Sequence, residues 1–471
     1  MPLRAASLLL VALLVSCGAA SPDGTTQANA VSAKHKRKRR VKRRPKVKRG
    51  RKRATRIAKK TGRSASSTNQ LLDPKDPRAT KLELPIYDPS GQAMRSFHQA
   101  LKRAKAGQGQ ARIAFWGASH TAADLWTGHV RRELQLTYGD AGHGYMMPVR
   151  WHLGLRHQDV NVKASKGWKV SRHRQVDPVP VGDYGYGGVA VSSDDPEQWV
   201  HFSTCKDNVC GRKADVVEVW VKEHPKGGQL RVTIDGKVHL VPTKGRRRRA
   251  KEHQFTLPDG AHTVEIQPVG DGPAMLYGVV MERRAPGVIL DQMGIPGMRG
   301  KIMLHWRERN WRRHVQRRAP DLLVMAYGTN AVGDSHRPIR QFIAGWRRVL
   351  QRVKRAAPGA SCLLVGPTDR PHRPDRRGVR RHRRQQDLVI AAQKQVAAEF
   401  GCGFWDAAAA MGGRGGMLRW VSLGLARGDS VHLSRDGYAL KAQRFLWALQ
   451  AGMTAPTQPK KRKRRRRRAG R

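Results

Sequence analysis

Two patterns of apolar and polar positions follow one another along the chain. In the first, a short apolar run precedes a stretch whose apolar residues recur with helical spacing, as in 111–117 followed by 122–136. Further apolar runs of this kind lie at 287–290, 321–326, 362–365 and 403–405. Further helical stretches lie at 96–105, 341–355, 385–400 and 438–450. Strands that alternate with helices predict a five-stranded parallel sheet with helices on both faces.

A different pattern occupies residues 149–285. Apolar and polar residues alternate there one by one, which is typical of half-buried strands, at 216–221, 230–234, 238–241 and 262–266. The pair Asp235-Gly236 lies between two of these runs and is a strong hairpin signal, and Asp259-Gly260 is a second turn signal. We therefore expect an antiparallel β-sandwich inserted into the α/β domain.

The two patterns and the composition divide the chain into six segments. The α/β domain is predicted to comprise 81–148 and 286–455, on either side of the inserted sandwich at 149–285. The other three segments are predicted to be a signal peptide at 1–20, a basic tether at 21–80 and a basic tail at 456–471.

The charge of the chain is concentrated at its two ends. The 471 residues carry a formal net charge of +57, and 19 Lys and Arg lie within 34–63 and ten within 460–471, without an acidic residue in either stretch. These segments have too few apolar residues to form a core, so we expect disordered tails. They suit anionic partners such as lipopolysaccharide, anionic wall polymer or extracellular DNA. Without interleaved aromatic residues they do not predict sequence-specific recognition of nucleic acid.

The amino terminus carries the features of an export signal. An apolar run follows Arg4 and ends in small residues, which predicts a signal peptide. The sequence Leu14-Val15-Ser16-Cys17 resembles the bacterial lipobox, in which the cysteine is lipidated. Ordinary cleavage after residues 18–20 is the alternative. We expect an exported protein in the periplasm or at the cell surface, anchored to the membrane by a lipid on Cys17.

Four further cysteines, an even number, accompany this export signal. They are Cys205, Cys210, Cys362 and Cys402. Disulfides and buried free thiols are both compatible with their positions. Their spacings are too wide for a cysteine-based zinc site, and no metal is predicted.

Polar residues suited to nucleophilic catalysis follow the predicted strands. Ser119 lies just after the first strand, 328–330 follow the strand at 321–326, and Asp429-Ser-Val-His432 precedes the last helix. A serine hydroxyl needs a base, and the base needs a carboxylate that orients it. Because the carboxyl ends of parallel strands meet at one edge of a sheet, we expect these groups to converge there.

These segments resemble the conserved blocks of the SGNH (GDSL-type) hydrolase family, and they occur in the family's order. The blocks are 115–121 around Ser119, 291–297 with Gly294, 326–330 with Asn330, and 429–432. The resemblance covers 81–148 and 286–455 and implies a flavodoxin-like three-layer α/β domain. The family usually has Asp before the nucleophile, and here that residue is Ala118.

The resemblance also implies the roles of individual residues. Ser119 would be the nucleophile, and Asp429 and His432 would complete the triad. The backbone N–H groups of Ser119 and Gly294 and the side-chain amide of Asn330 would bind the oxyanion. Other residues near these blocks are candidates for substrate contact, namely His120, Gly328 and Trp420. In the inserted domain Trp199, Trp220 and Tyr277 would either stack on sugar rings or pack in the core.

Exported SGNH enzymes with an added β-sandwich resemble bacterial enzymes that act on O-acetylated envelope polysaccharide. We therefore expect an esterase that removes acyl groups from a polymer such as peptidoglycan, and the resemblance implies that these are acetyl groups. The alternatives are an O-acetyltransferase with the same triad, or a non-catalytic lipoprotein that binds anionic polymer. No metal or other cofactor is required for the predicted reaction.

Overall fold

A computed structural model of the chain describes residues 82–149, 152–172, 182–205 and 211–453. The predicted signal peptide, the lipidation candidate Cys17, and the whole of the basic tether and tail lie outside the described residues, as does Cys210. Among the described helices, none combines the length and the apolar character needed to cross a bilayer.

The described chain forms helices and strands in alternation. The helices are α1 (Arg95–Lys105), α2 (Ser119–Ala122), α3 (Leu125–Tyr138), α4 (Glu308–Arg318), α5 (Ile339–Ala356), α6 (Arg384–Glu399), α7 (Gly416–Ser422) and α8 (Arg435–Gln450). The strands are β1 (Gln110–Gly117), β2 (Gly142–Met146), β3 (Val160–Ala164), β4 (Lys169–Arg172), β5 (Val189–Ser193), β6 (Val200–Thr204), β7 (Ala214–Glu223), β8 (Gln229–Ile234), β9 (Lys237–Pro242), β10 (Arg249–Gly260), β11 (Thr263–Pro268), β12 (Ala274–Glu282), β13 (Gly287–Gly294), β14 (Leu322–Ala326), β15 (Ser361–Val365) and β16 (Gly403–Trp405).

The predicted five-stranded parallel sheet is confirmed, with strand order β13-β1-β14-β15-β16. Successive side chains point to opposite faces of a strand, so the apolar run of β1 packs against helices on both sides. Phe115 contacts Trp126 of α3 with ring centroids 4.9 Å apart, whereas Trp116 lies 5.7 Å from Trp311 of α4. The helices α1, α3 and α8 pack on the first face and α4, α5 and α6 on the second. The domain therefore has three layers.

The predicted antiparallel insert is also confirmed. One sheet has the order β10-β7-β12-β5-β4, with β2 paired to β12, and the other has the order β3-β6-β11-β8-β9. Apolar residues of both sheets form one buried cluster between them. The strand β2 precedes residue 149, where the insert was predicted to begin, yet it belongs to the first of these sheets.

A buried aromatic cluster connects the insert to the parallel sheet. Trp220 lies 5.0 Å from the His314 ring of α4, and Tyr277 lies 5.1 Å from the same ring. Both aromatic side chains are at most 1% exposed. The suggestion that Trp220 and Tyr277 stack on sugar rings is therefore wrong, because their faces are covered by other side chains. Trp199 is half-buried.

Buried charges join the same layers. Arg318 of α4 donates two hydrogen bonds of 2.9 Å to Asp291 of β13 and one of 2.9 Å to Glu282 of β12. Arg112 of β1 donates two more to Glu282, at 3.0 and 3.1 Å. Burial alone would raise the pKa of Glu282, but the two guanidinium groups outweigh it and lower the pKa to about 2. The Glu282 carboxylate is therefore ionised and joins β12 to α4 and β1.

Cys362 and Cys402 form a disulfide with an S–S distance of 2.06 Å. The bond joins the beginning of β15 to the residue just before β16 and closes a loop with a sequence separation of 40. Of the two possibilities that the sequence left open for this pair, the structure therefore has the disulfide.

Candidate active site

Three strand ends bring the predicted site residues to one edge of the parallel sheet. In the strand register Gly117 of β1 pairs with Gly294 of β13 on one side and with Ala326 of β14 on the other. Ser119 follows β1 by two residues, and Asn330 follows β14 by four. Parallel strands all end on the same side, so these groups share the carboxyl edge.

The turn that carries Ser119 is packed too tightly for larger residues. A Cβ atom on Gly117 would lie 2.0 Å from Thr121 Oγ1, and one on Gly294 would lie 2.1 Å from the backbone nitrogen of Ala122. The two glycines therefore allow α2 to begin directly above the strand ends. The predicted helix 122–136 is in fact divided into α2 and α3 at Asp124, whose φ of 50° is left-handed.

The structure brings Ser119, His432 and Asp429 into one chain of hydrogen bonds. His432 Nε2 lies 2.9 Å from Ser119 Oγ, and His432 Nδ1 lies 2.7 Å from Asp429 Oδ2. The other carboxylate oxygen, Oδ1, accepts the backbone N–H groups of Val431 and His432, both at 2.9 Å. The arrangement can remove a proton from the serine hydroxyl and stabilise the imidazolium that results.

The loop before α8 holds this geometry. Its residue Ser430 is buried and left-handed, with a φ of 54°. The backbone N–H of Arg427 donates to the carbonyl oxygen of His432 at 2.8 Å, which closes the loop. At its end Ser434 caps α8 by accepting the N–H of Gly437 at 3.2 Å. The loop is thus fixed at both ends although the Asp429 side chain is 47% exposed.

Burial would raise the pKa of Asp429, but its hydrogen bonds lower it on balance. The side chain and backbone N–H of His432 and the backbone N–H of Val431 all stabilise the charged carboxylate. Asp429 is therefore ionised at neutral pH, the state in which it can orient an imidazole.

Asn330 and Gly328 shape the end of β14. The Asn330 side-chain amide donates to the carbonyl oxygen of Met298 at 3.0 Å, which leaves its second N–H to point elsewhere. Gly328 has a φ of 141°, and a Cβ atom there would lie 3.0 Å from the backbone nitrogen of Pro367. Gly328 is buried, so its role is to let the chain turn and not to contact substrate.

His120 faces the interior behind the nucleophile. Its Nδ1 lies 2.9 Å from the Tyr438 hydroxyl and its Nε2 lies 3.4 Å from Thr368 Oγ1. Burial, reinforced by the nearby Lys441 ammonium, lowers its pKa well below the usual 6.5, so the ring is neutral. Its centroid lies 5.6 Å from that of His432. His120 thus supports the ring of His432, and its 7% exposure leaves little surface for substrate.

Trp420, the third candidate for substrate contact, is fully buried. It packs within the apolar layer that includes α8, with the Arg444 guanidinium 5.8 Å from its ring centroid. Trp420 thus exposes no surface in the described structure, and its contact with substrate stays a prediction.

Residues that the sequence did not single out also surround the site. Tyr438 and Lys441 lie on the buried face of α8, and Lys441 Nζ stacks 3.7 Å from the centroid of the Trp126 ring. Arg370 donates a hydrogen bond of 2.6 Å to the carbonyl oxygen of Thr329. Tyr438 and Lys441 are three residues apart, a spacing that places both on one face of a helix. Only the fold shows that this face of α8 packs against the helices near Ser119.

A three-layer α/β domain with a serine, a histidine and an aspartate hydrogen-bonded at the carboxyl edge of its sheet defines a hydrolase of the serine type. Residues 267–440 match the GDSL-like lipase/acylhydrolase family. The match covers the second part of the α/β domain, which is similar in sequence to this acylhydrolase family.

Among the solved structures similar to this chain are two esterases, and the first of them shares its fold. A structure described as "Peptidoglycan O-acetylesterase in action" is 23% identical with a TM-score of 0.66, and the match covers 78% of this chain and 99% of that chain. A family two carbohydrate esterase from Cellvibrio japonicus is 11% identical with a TM-score of 0.26, and the match covers 62% of this chain and 98% of that one. No curated protein matches the sequence.

Proposed function

We propose that this protein removes O-acetyl groups from a cell-envelope polysaccharide such as peptidoglycan, with Ser119 as nucleophile, His432 as base and Asp429 as the orienting carboxylate. The observation that carries the proposal is the unbroken hydrogen-bonded chain from Asp429 through His432 to Ser119. A serine so connected is activated at neutral pH without a metal ion.

The reaction proceeds in two halves. In the first, Ser119 Oγ attacks the ester carbonyl while His432 Nε2 takes its proton, and His432 then gives that proton to the departing sugar hydroxyl. In the second, His432 takes a proton from water as it attacks the acetyl-enzyme and returns the proton to Ser119 Oγ. Acetate leaves, and the protein regains its starting state.

Three donors are proposed for the oxyanion, namely the backbone N–H groups of Ser119 and Gly294 and the side-chain amide of Asn330. The strand register supports the assignment because it places the ends of β1, β13 and β14 side by side. The amide of Asn330 is held in place by Met298. Each such donor is worth on the order of 10²–10³ in rate.

The proposed substrate is supported by the likeness to a structure described as a peptidoglycan O-acetylesterase, a match that covers 78% of this chain. The export signal and the Cys362–Cys402 disulfide support the location, since disulfides persist in oxidising compartments outside the cytosol. We further propose that the basic tails hold the enzyme near anionic envelope polymers or lipopolysaccharide, and that Cys17 carries the lipid anchor.

The first test is hydrolysis of p-nitrophenyl acetate by wild type, Ser119→Ala and the matched control Ser422→Ala. Ser422 is exposed and bonds only its own helix, through the Arg419 carbonyl oxygen. We expect Ser119→Ala to lose at least about 10³-fold in kcat and the control to match wild type. Equal activity of Ser119→Ala and wild type would contradict the triad.

The second test concerns the substrate. Acetate release from O-acetylated peptidoglycan is compared with release from O-acetylated xylan, and with transfer of acetyl to an unacetylated glycan. We expect release from peptidoglycan to dominate. Preference for xylan would contradict the substrate, and a predominance of transfer would show an O-acetyltransferase instead of an esterase.

A further inference from the structure

A cluster of metal-ligating side chains lies next to the nucleophile turn but outside the proposed triad. One oxygen of Asp124 and one ring nitrogen each of His143 and His157 all lie within 4.8 Å of one another. The three residues come from different elements, since Asp124 precedes α3, His143 belongs to β2, and His157 lies in the segment before β3. We propose that these three side chains bind a divalent transition-metal ion of the Zn²⁺ type.

The two histidines carry the inference. In the described part of the chain, neither the Nδ1 nor the Nε2 atom of His143 or of His157 has a hydrogen-bond partner, although all four atoms are buried. His143 is only 2% exposed, and its ring centroid lies 5.6 Å from that of His157. Buried polar atoms are normally paired because each unpaired one costs free energy. An ion shared by the two rings satisfies one nitrogen of each.

The carboxylate of Asp124 is already oriented for this role. Its Oδ2 accepts Nη2 of Arg131 at 2.8 Å and the backbone N–H of Gln158 at 2.7 Å. Its Oδ1 accepts the Thr127 hydroxyl at 2.7 Å and Nη1 of Arg131 at 3.5 Å. The contact at 3.5 Å is the longest of the four, so a metal ion would replace it at Oδ1. Hydrogen bonds to a side chain that ligates a metal ion fix the orientation of that side chain and tune its affinity for the ion.

The surrounding charges tolerate a cation. Arg131 is shared between Asp124 and Asp159, at 2.8 and 3.0 Å, and Arg132 also contacts Asp159 at 3.0 Å. Two carboxylates thus offset the two guanidinium charges that they bind.

The donor set selects the class of ion. Two imidazole nitrogens and one carboxylate oxygen suit Zn²⁺, whereas Mg²⁺ and Ca²⁺ prefer sites made of oxygen alone. Tetrahedral ligands about 2.0–2.1 Å from a zinc ion lie about 3.4 Å from one another, so the donor atoms, which lie within 4.8 Å of one another, would move closer together on binding. A cleft whose lining includes His157, Leu155 and Gln158 lies beside the cluster, and a water molecule from it would be the fourth ligand.

The ion would stabilise the turn that carries Ser119 and would take no part in the reaction. Asp124 is five residues from Ser119, and the backbone N–H of Arg156 donates to the carbonyl oxygen of Ala122 at 2.8 Å. The segment containing His157 is thus already attached to the nucleophile turn. A metal ion at Asp124, His143 and His157 would add a second attachment and join both segments to β2.

The test uses the full chain without a histidine tag, freed of metal with EDTA, incubated with ZnCl₂ and dialysed. We expect elemental analysis to find about one Zn²⁺ per chain, since the cluster offers a single tetrahedral site. The midpoint of thermal unfolding should rise by several degrees with ZnCl₂ and fall back with EDTA, because a ligand that binds only the folded state stabilises it.

Variants His143→Gln and His157→Gln are compared with the matched control His336→Gln, an exposed histidine outside the cluster. The two cluster variants should bind Zn²⁺ at least about 100-fold more weakly and should show no thermal shift, whereas the control should behave as wild type. Without zinc, wild type and the three variants should unfold at similar temperatures. The reason is that neither His143 nor His157 has a side-chain hydrogen bond to lose.

Two outcomes would overturn the proposal. One is wild type that retains no zinc after dialysis, a result that stands whether or not the variants fold. The other is equal zinc content in His157→Gln and wild type. The outcome is independent of the esterase proposal, because Ser119→Ala should bind zinc as wild type does.

Discussion

Replacement of Asp429 by Asn tests the orientation of His432 with almost no change of shape. Asp429 Oδ1 accepts two backbone N–H groups, so the Asn carbonyl oxygen will take that position. The NH₂ group of the Asn then faces His432 Nδ1. In wild type this position is occupied by Asp429 Oδ2, which lies 2.7 Å from His432 Nδ1. A donor there forces Nδ1 to act as acceptor and moves the ring proton to Nε2. In that tautomer Nε2 cannot take the proton of Ser119.

The magnitude follows from the contacts. To restore the useful tautomer the amide must flip, which gives up two backbone hydrogen bonds of about 1–1.5 kcal/mol each. That cost of about 2–3 kcal/mol lowers the competent population by roughly 30- to 160-fold, since 1.36 kcal/mol is a factor of ten. The flipped amide still lacks the charge that stabilises the imidazolium of His432. Together we expect kcat to fall by about 10³- to 10⁴-fold.

The assay is the kcat for p-nitrophenyl acetate, with the thermal midpoint measured alongside. The midpoint of Asp429→Asn should stay close to that of wild type, because both backbone contacts are kept. The matched control is Asp436→Asn, an exposed acid in the first turn of α8. Activity of Asp429→Asn within tenfold of wild type would refute the reasoning, as would an equal loss in Asp436→Asn.

Three further predictions concern the scaffold. The depressed pKa of Glu282, about 2 against an ordinary 4.5, gives stability that is present above pH 4.5 and lost as the pH falls through 2. Glu282→Gln should therefore lower the free energy of unfolding at pH 7 by about 3 kcal/mol and flatten its dependence on pH in this range, as measured by denaturant unfolding. The bond between Cys362 and Cys402 closes a loop of sequence separation 40, so Cys402→Ser should cost up to about 4 kcal/mol. Dithiothreitol should then destabilise wild type more than the variant, and equal effects would contradict the estimate. Gly294→Ala would place a Cβ atom 2.1 Å from the backbone nitrogen of Ala122 in the turn that carries Ser119. We therefore expect kcat to fall at least about 10²-fold. An unchanged kcat would show that this turn can move to accommodate the methyl group.

Much of the architecture followed from local pattern. The apolar runs predicted each strand of the parallel sheet, and single-residue alternation predicted strands of the insert, because backbone geometry sets a period of two in strands and 3.6 in helices. The division of the helix at Asp124 was missed because nothing local distinguishes a left-handed aspartate from a helical one. The assignment of β2 to the insert was missed because strand pairing depends on distant partners, here β12.

The sequence by itself determined the candidates for the chemistry and their order along the chain. It also indicated the edge of the sheet for Ser119 and Asn330, since each of these follows a strand whose direction is set by the alternation of strands and helices. Only the tertiary structure decided which of the candidates meet. It placed His432 within 2.9 Å of Ser119 across 313 residues, turned Trp420, Trp220 and Tyr277 into the core, and paired Cys362 with Cys402. The physical reason is that the exposure of a side chain and its contacts depend on the elements packed around it, which no local pattern records.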